Sequence, residues 1–499
     1  MEQSFFLTRM LETLRDGGES TAFIHNGTEM AFGQALNSVR HLHAALAAEG
    51  VSAGEVVAVV AGNRPETILV QLAAQLRGAT VLLVAASSSL PDRLAVLEAA
   101  GTGTLVIDPE REPGHARELV QSGQVPSVLC LGPVPPWMPE GTHDVLARQR
   151  DEQISVPRTV RLIFPTGGTT GTPKLIVHSG IYDGMAHIFA PDPAGPGRTL
   201  LVAPMSHMTG NATVLGALLR RDIVVLHNGF DPGAVLRAIE TQRITTLSLT
   251  PPRLAAVLDH PAMPGTDISS VRSLSLGASP LSARRLRQAL AAFGASVGQG
   301  YGLTEAPMIA SIAAAELFGH PERLESVGRI VPGMEAKVAC GEIVVRGLSM
   351  MDGYLGRPPI GDGWLHTGDI GHFDADGYLY LLDRADDVIL AGEHGTKVYS
   401  NVVENVLVAH PGVSEAAVIG IPDVMGDGAV VHAVVVPTEP GVVSAEDLRT
   451  HALATFGQPH FVPSSVDFTD ALPLTPIGKV DKKALRAPFW PGRESGSLT

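Results

Sequence analysis

Apolar residues recur along the chain in two alternating rhythms. Phe5, Phe6, Met10, Leu11 and Leu14 keep helical spacing and predict an opening helix. Phe23-Ile24-His25 and Glu29-Met30-Ala31-Phe32 flank Asn26-Gly27, a dipeptide that tolerates two successive positive φ angles, so a tight hairpin is expected there. From Gln34 onward helical patterns alternate with short β-branched runs: Val56–Val60, Val81–Val84, Leu105–Ile107, Leu200–Val202, Ile223–Leu226 and Leu247–Leu249. These runs are continuously apolar, which predicts strands covered on both faces and hence parallel sheets between helices. After Pro332 the rhythm changes. Val338-Ala339, Ile343–Val345 and Tyr378–Leu381, with Asp352-Gly353, Asp362-Gly363 and Asp376-Gly377 beside them, predict a small antiparallel, barrel-like unit. Beyond Arg384 helices and strands alternate again. Asn401-x-x-Glu404 and Ser444-x-x-Asp447 read as helix starts, and the residues from Pro488 as a loose tail. The expected fold class is α/β: a large N-terminal domain of parallel-sheet subdomains plus the barrel-like unit, then a small α+β C-terminal domain.

A length of 499 residues allows about three compact units. With 45% hydrophobic and 17% charged residues the chain can bury sizeable cores, which excludes disorder as its overall state. The net charge of −15 argues against a nucleic-acid partner but leaves phosphate binding open, because local backbone donors act at short range. Cys130 and Cys340 cannot build a disulfide framework, and neither lies in a CxxC, so a reducing compartment without structural zinc is expected. No apolar run approaches the ~18 residues of a membrane span. Met1-Glu2-Gln3-Ser4-Phe5 lacks the basic start of a secretory signal. The expectation is a cytoplasmic protein with no membrane insertion.

The most informative stretch is Phe164-Pro165-Thr166-Gly167-Gly168-Thr169-Thr170-Gly171-Thr172-Pro173-Lys174. Its glycines let backbone N–H groups converge, its threonines add hydroxyl donors, and Lys174 supplies a point charge. That is an anion cradle suited to a triphosphate. It is not a Walker A loop, because Leu175 stands where that motif needs Ser or Thr. Gly298-x-Gly300-x-Gly302 likewise lacks dinucleotide-fold spacing. Tyr301-Gly302-Leu303-Thr304-Glu305 places a stacking ring, a hydroxyl and a carboxylate within five residues, and a carboxylate beside phosphates suits magnesium. Trp364-Leu365-His366-Thr367-Gly368-Asp369 sets an aspartate after a glycine turn, fit to accept from ribose hydroxyls. Leu474-Thr475-Pro476-Ile477-Gly478-Lys479 presents one lysine on a Pro/Gly-shaped loop.

In this order the motifs resemble the adenylate-forming superfamily of acyl-CoA synthetases, peptide-synthetase adenylation domains and firefly luciferase, and the resemblance spans essentially the whole chain. Thr166 to Lys174 is similar to T-S-G-T-T-G-x-P-K, Tyr301 to Glu305 to Y-G-x-T-E, Trp364 to Asp369 to W-x-x-T-G-D, Arg384 to Asp387 to R-x-[KD]-D, and Gly478-Lys479 to the catalytic lysine loop. The resemblance implies two half-reactions. A carboxylate attacks the α-phosphate of ATP to give acyl-AMP and pyrophosphate, then a thiol displaces AMP. It implies that Lys479 bridges carboxylate and phosphate, Thr304 contacts the α-phosphate and Glu305 binds Mg2+. Thr166, Gly167, Gly168, Thr169, Thr170, Gly171 and Lys174 would cradle phosphates. Gly277, Ala278 and Ser279, with Gly300, Tyr301 and Gly302, would border adenine, while Asp369 and Arg384 would hold ribose. His207, in Pro204-Met205-Ser206-His207, matches the position that meets the acyl carboxylate. Residues 1–384 would form the adenylating domain, 385–387 a hinge centred on Asp386, and 388–499 a mobile lid.

Met208, Gly210, Ala212, Gly300, Ala306, Met308 and Ile309 are small or apolar, and no charged group nearby suits an α-ammonium. A bulky apolar, aryl or polycyclic carboxylic acid is therefore expected, passed to coenzyme A. A carrier-protein thiol is the alternative acceptor, and a non-catalytic nucleotide sensor a distant third, since Lys479, Glu305 and Asp369 are retained. A homodimer is compatible with this reading. One stretch departs from the family pattern: the loop after the hinge is two residues longer, with Ser400 in place of proline and Val402 in place of glutamate. That loop helps form the pantetheine tunnel in the family, so thioester formation is the less secured half.

Overall fold

The computed structural model describes residues 3–85, 88–110, 113–147, 153–166, 174–392, 395–423, 428–475 and 478–490. The opening helix spans Phe5–Gly17, capped by Ser4, whose hydroxyl accepts from the Leu7 N–H. The hairpin Thr21–His25/Thr28–Ala31 follows, turning on Asn26 (φ 51°) and Gly27 (φ 77°).

Each of the six continuously apolar runs before Pro332 became a parallel strand. Thr21–His25, Ile223–Leu226, Arg198–Leu201, Thr246–Leu249, Ser273–Gly277 and Val297–Tyr301 lie side by side, all parallel. Ala310–Ala313 then pairs antiparallel to Val297–Tyr301 and hands the sheet on to Ser326–Ile330, Leu379–Arg384, Leu365–Phe373, Glu342–Gly347 and Met334–Ala339. The antiparallel unit is thus continuous with the parallel one, in a sheet of 13 strands. A second, 8-stranded sheet is built on Val56–Val60, Thr80–Leu83, Thr104–Ile107 and Ser127–Cys130, all parallel. Arg161–Thr166 joins it in parallel and folds back into Lys174–His178. Between the two sheets the buried faces of Phe32–Ala48, Pro65–Leu76 and Met208–Leu219 share one core.

Beyond Arg384 a short 3-10 turn, Ala385–Asp387, leads to a 5-stranded sheet with its own cores. Its long antiparallel pair is Val413–Pro422 with Ala429–Pro437. Ser444 caps the helix Ala445–Phe456 in a capping box with Asp447, as the spacing predicted. The other predicted cap is displaced. The helix runs Ser400–Ala409, so Asn401 lies inside it, and Glu404 instead accepts from the Val418 N–H at 2.8 Å. Among the described residues no helix is long and apolar enough to cross a membrane.

Candidate active site

In an open parallel sheet, ligands bind beyond the carboxyl ends of the strands, where connecting loops diverge. Here the loops after Arg198–Leu201, Thr246–Leu249, Ser273–Gly277 and Val297–Tyr301 border one cavity of about 1770 Å³. The C-terminal domain borders it through the helix Ser400–Ala409, residues 414–416 and the segment that carries Lys479. His207, Gly277, Ala278, Ser279, Gly300, Tyr301, Gly302, Thr304, Glu305, Lys174, Arg384, Asp386 and Lys479 all line it. The loop residues Gly167, Gly168, Thr169, Thr170 and Gly171 lie outside the described residues, and so does the side chain of Thr166.

Asp369 lies behind this lining. It is the direct cross-strand partner of Arg384, and only 6% of it is exposed. One carboxylate oxygen accepts from the Tyr301 hydroxyl at 2.5 Å and the other from the Arg384 guanidinium at 2.9 Å. Arg384 also donates to the Thr367 carbonyl at 3.0 Å. Burial raises the Asp369 pKa, against the opposing pull of Arg384 and Tyr301. The arrangement is an acidic acceptor held rigid between a phenol and a cation.

Beside Tyr301, Gly277 meets Gly300, its partner on the neighbouring strand. A Cβ at Gly277 would lie 2.6 Å from the Gly300 carbonyl oxygen, so the two strand ends can approach only without side chains there. Ala278 follows in the left-handed region (φ 70°), and the Ser279 hydroxyl is buried without a partner. A buried hydroxyl in want of a bond, on residues that border a cavity, is a mark of a ligand site.

Thr304 and Glu305 are held by residues that no local pattern revealed. His178, fully buried, donates from Nε2 to the Thr304 carbonyl at 2.7 Å, and burial lowers its pKa so that it stays neutral. The Tyr354 hydroxyl donates to Glu305 Oε1 at 3.0 Å, which fixes the carboxylate at the cavity edge. Magnesium keeps several waters and takes one or two protein carboxylates beside phosphate oxygens. Glu305 fits that demand. Among the described residues no group of three His, Cys, Asp or Glu could form an all-protein cage.

Lys479 enters from the C-terminal domain on a tight loop, closed by the Leu474–Val480 bridge and by Thr475, whose N–H donates to the Lys479 carbonyl at 2.7 Å. The loop docks on the large domain. The Thr250 hydroxyl donates to the Gly478 carbonyl at 3.0 Å, and a Cβ at Gly478 (φ 79°) would lie 2.9 Å from Arg253 Nε. Burial, then Arg384, lowers the Lys479 pKa, while Asp369 and Glu305 oppose them. The lysine is a half-sheltered cation on which burial and Arg384 outweigh the two carboxylates. His207 is held neutral, at about 4, by burial first and then by Lys479 and Arg253, and its Nε2 has no partner.

Three residues expected to border an acyl pocket do not. Gly210 is buried where a Cβ would lie 2.1 Å from the Pro204 carbonyl oxygen, and Ala306 and Ile309 belong to a closed core. Met208, Ala212, Gly300 and Met308 line the cavity, joined by Gly184, Met185 and Phe189, which sequence reasoning missed.

Ser400 bonds the end of the large domain. Its N–H and hydroxyl both donate to the Asp383 carboxylate, the hydroxyl at 3.1 Å, and Lys482 donates to the same hydroxyl at 2.7 Å while pairing with Glu404 at 2.7 Å. A proline at 400 would have no N–H to give. Burial pushes the Asp383 carboxyl up to about 6 against Lys482.

A family model for AMP-binding enzymes matches residues 12–355, and a model for their C-terminal domain matches residues 402–479. A medium/long-chain-fatty-acid–CoA ligase of Mycobacterium tuberculosis is 34% identical over 93% of this chain and 86% of its own length. A feruloyl-CoA synthase of an Amycolatopsis species is 33% identical over 94% and 96%. Among solved structures, the amide bond synthetase McbA from Marinactinospora thermotolerans superposes with a TM-score of 0.85 at 32% identity, over 97% of this chain and 99% of that one.

Proposed function

The chain belongs to the AMP-binding enzyme family, and from that premise we propose how its residues activate a carboxylic acid. It is an AMP-forming acid–CoA ligase that uses ATP, Mg2+ and coenzyme A. A carboxylate oxygen attacks the α-phosphorus, pyrophosphate leaves, and the acyl-AMP is cleaved at its acyl carbon by the CoA thiol, releasing AMP and the thiol proton.

The first step brings two anions together, so positioned positive charge and donors carry most of the catalysis. Lys479 supplies that charge. Among the described residues its ammonium has no ion pair, only the more distant pull of Asp369 and Glu305, and its loop is fixed on Thr250. Neutral His207 offers its free Nε2 to the acid's carboxylate without adding or withdrawing charge. Asp369 and Arg384 hold the ribose, and Ser279 and Tyr301 border the adenine. Thr304 meets the α-phosphate, steadied by His178. Glu305 would hold the magnesium ion, whose chemistry when bound is to neutralise phosphate charge. Residues 1–384 make the adenylating domain, 385–387 the hinge, and 388–499 the lid that carries Lys479.

The acid is bulky and apolar, aryl or polycyclic. Gly184, Met185, Phe189, Met208, Ala212 and Met308 support that reading, and none of them carries a charge. The observation that carries the proposal is the convergence of Lys479, Glu305, His207 and Arg384 on one cavity, with Asp369 bonded to Arg384 behind its wall. The test is a pyrophosphate-exchange screen over ferulate, decanoate, indole-3-acetate and amino acids. The screen is then repeated with CoA while AMP is measured. Exchange with an apolar acid and AMP release on adding CoA are expected. Exchange confined to amino acids would overturn the substrate reading.

An amine in place of the thiol is a second reading, favoured by the likeness to the amide bond synthetase and by the longer post-hinge loop. Amide formed from acyl-AMP faster than thioester would decide for it.

A further inference from the structure

The C-terminal domain touches the large domain at a second place, well away from Lys479 in sequence. The strand Val413–Pro422 opens with a register shift between Val413 and Glu415, which takes Ser414 out of its ladder. The carbonyl freed by that irregularity is met from the other domain. Arg284, on the helix Ala283–Phe293, donates to it at 3.0 Å. Arg285 donates to the Ser414 hydroxyl at 3.1 Å with the same nitrogen that it gives to Asp259.

Arg285 is 6% exposed, which is unusual for a charged residue on a helix face, and both of its terminal nitrogens are engaged, while its Nε has no partner among the described residues. Two parallel bonds of 2.6 Å join it to both oxygens of Asp259, and a third of 3.0 Å goes to Gln288. A planar guanidinium held on both sides in this way has a fixed direction, which a lysine could not copy. It presents one N–H to the small domain at a set place and angle.

We propose that Arg285, set by Asp259 and helped by Arg284, is a positioning residue for the first half-reaction: its clasp on Ser414 holds the small domain in the posture that places Lys479 in the active site. The argument is mechanical. A rigid body is fixed in orientation by three points that are not in line. The covalent turn Ala385–Asp387, together with the Ser400 bonds to Asp383 beside it, is one and the Gly478 carbonyl on Thr250 is another. Two points alone leave free rotation about the line joining them. Ser414 on Arg284 and Arg285 removes that freedom. Turning the lid about Asp386 must break the Ser414 bonds but leaves Arg285 on Asp259, so the clasp can re-form on each cycle.

The inference rests on the two-half-reaction reading above. Its test uses the full-length protein with S414K, which keeps Arg285 and sets an ammonium against two guanidiniums, and R285A, which leaves Asp259 half-exposed but takes the facing cation from the partly buried Glu415, so the R285A result counts only where S414K agrees with it. Single-turnover acyl-AMP formation is measured with ferulate or decanoate, and thioester formation is started separately from synthetic acyl-AMP and CoA. The clasp predicts that both variants slow the first half by roughly tenfold or more, the scale of one or two charge-assisted hydrogen bonds, with the second half unchanged or faster. An equal fall in both halves would make the contact merely structural and overturn the proposal. A second arm needs no substrate: trypsin cleavage after Arg384 should rise severalfold in S414K as the lid swings free. If the wild type forms no acyl-AMP from any acid, the ligase reading fails and the cleavage arm alone judges the clasp. Unchanged cleavage then refutes it.

Discussion

Replacing Asp369 by asparagine tests ribose recognition, provided that a dideoxy nucleotide separates it from the loss of the charge that Asp369 sets against Arg384 and Lys479. A carboxylate offers about four acceptor positions. Two are spent on Tyr301 and Arg384 in the structure, which leaves about two for ribose hydroxyls. Asparagine keeps one oxygen. Arg384 can only donate, so that oxygen must face it, and the new NH2 turns toward the Tyr301 hydroxyl, which can accept. The internal bonds survive while one or both ribose acceptors are lost. Each is charge-assisted and worth about 1.5–3 kcal/mol. The expected result is a fall of roughly 10²-fold in kcat/KM for ATP, with the KM for the acid little changed. The assay is pyrophosphate exchange at saturating acid, run with ATP and with 2′,3′-dideoxy-ATP in wild type and D369N. If Asp369 binds those hydroxyls, the wild type loses about as much from the dideoxy nucleotide as from the mutation, and D369N loses less than about threefold more. Penalties that multiply in full would refute the assignment and leave Asp369 a structural partner of Arg384.

Lys479→Ala should leave folding intact and lower acyl-AMP formation by about two to three decades, while thioester formation from preformed acyl-AMP stays within about threefold; single-turnover rates of the two halves check this. Glu305→Gln keeps the Tyr354 bond but removes the charge, so the magnesium concentration for half-maximal exchange should rise by an order of magnitude or so; an unchanged titration makes Glu305 structural. His207 stays neutral in the fold down to about pH 4, whereas in the unfolded chain it takes up a proton near 6.5. The unfolded state therefore binds more protons over that window, and the stability tied to His207 is present above pH 6.5 and drains away as pH falls toward 4. Melting temperatures between pH 7.5 and 5 should thus drop less steeply in His207→Gln, and parallel curves would contradict the buried neutral imidazole.

Much of this architecture was legible in the chain because its signals are local. The runs Val56–Val60 and Ile223–Leu226 are apolar at every position, short and β-branched, as a strand covered on both faces requires. Asn26-Gly27 and Ser444-x-x-Asp447 carry their geometry within two to four residues. What escaped is long-range. His178 steadies Thr304 across 126 residues and Tyr354 steadies Glu305 across 49, and neither leaves a spacing to read. The misread acyl-pocket positions share a cause: Gly210, Ala306 and Ile309 sit in a motif near the cavity, but small apolar residues serve a core as well as a pocket, and packing decided for the core. Asn401 was misjudged as a cap because Ser400, one position earlier, already starts the helix through its bonds to Asp383.

The central claim is that a carboxylate oxygen of the acid attacks the α-phosphorus of ATP. Its most direct test is an acid labelled with oxygen-18 in both carboxylate positions, turned over with ATP, magnesium and CoA, with the phosphorus products read by mass spectrometry. Cleavage of the acyl-AMP at the acyl carbon leaves the attacking oxygen on phosphorus, so the account predicts one labelled oxygen per AMP and none in pyrophosphate. Label in inorganic phosphate with formation of ADP, or AMP that carries no label, would contradict it.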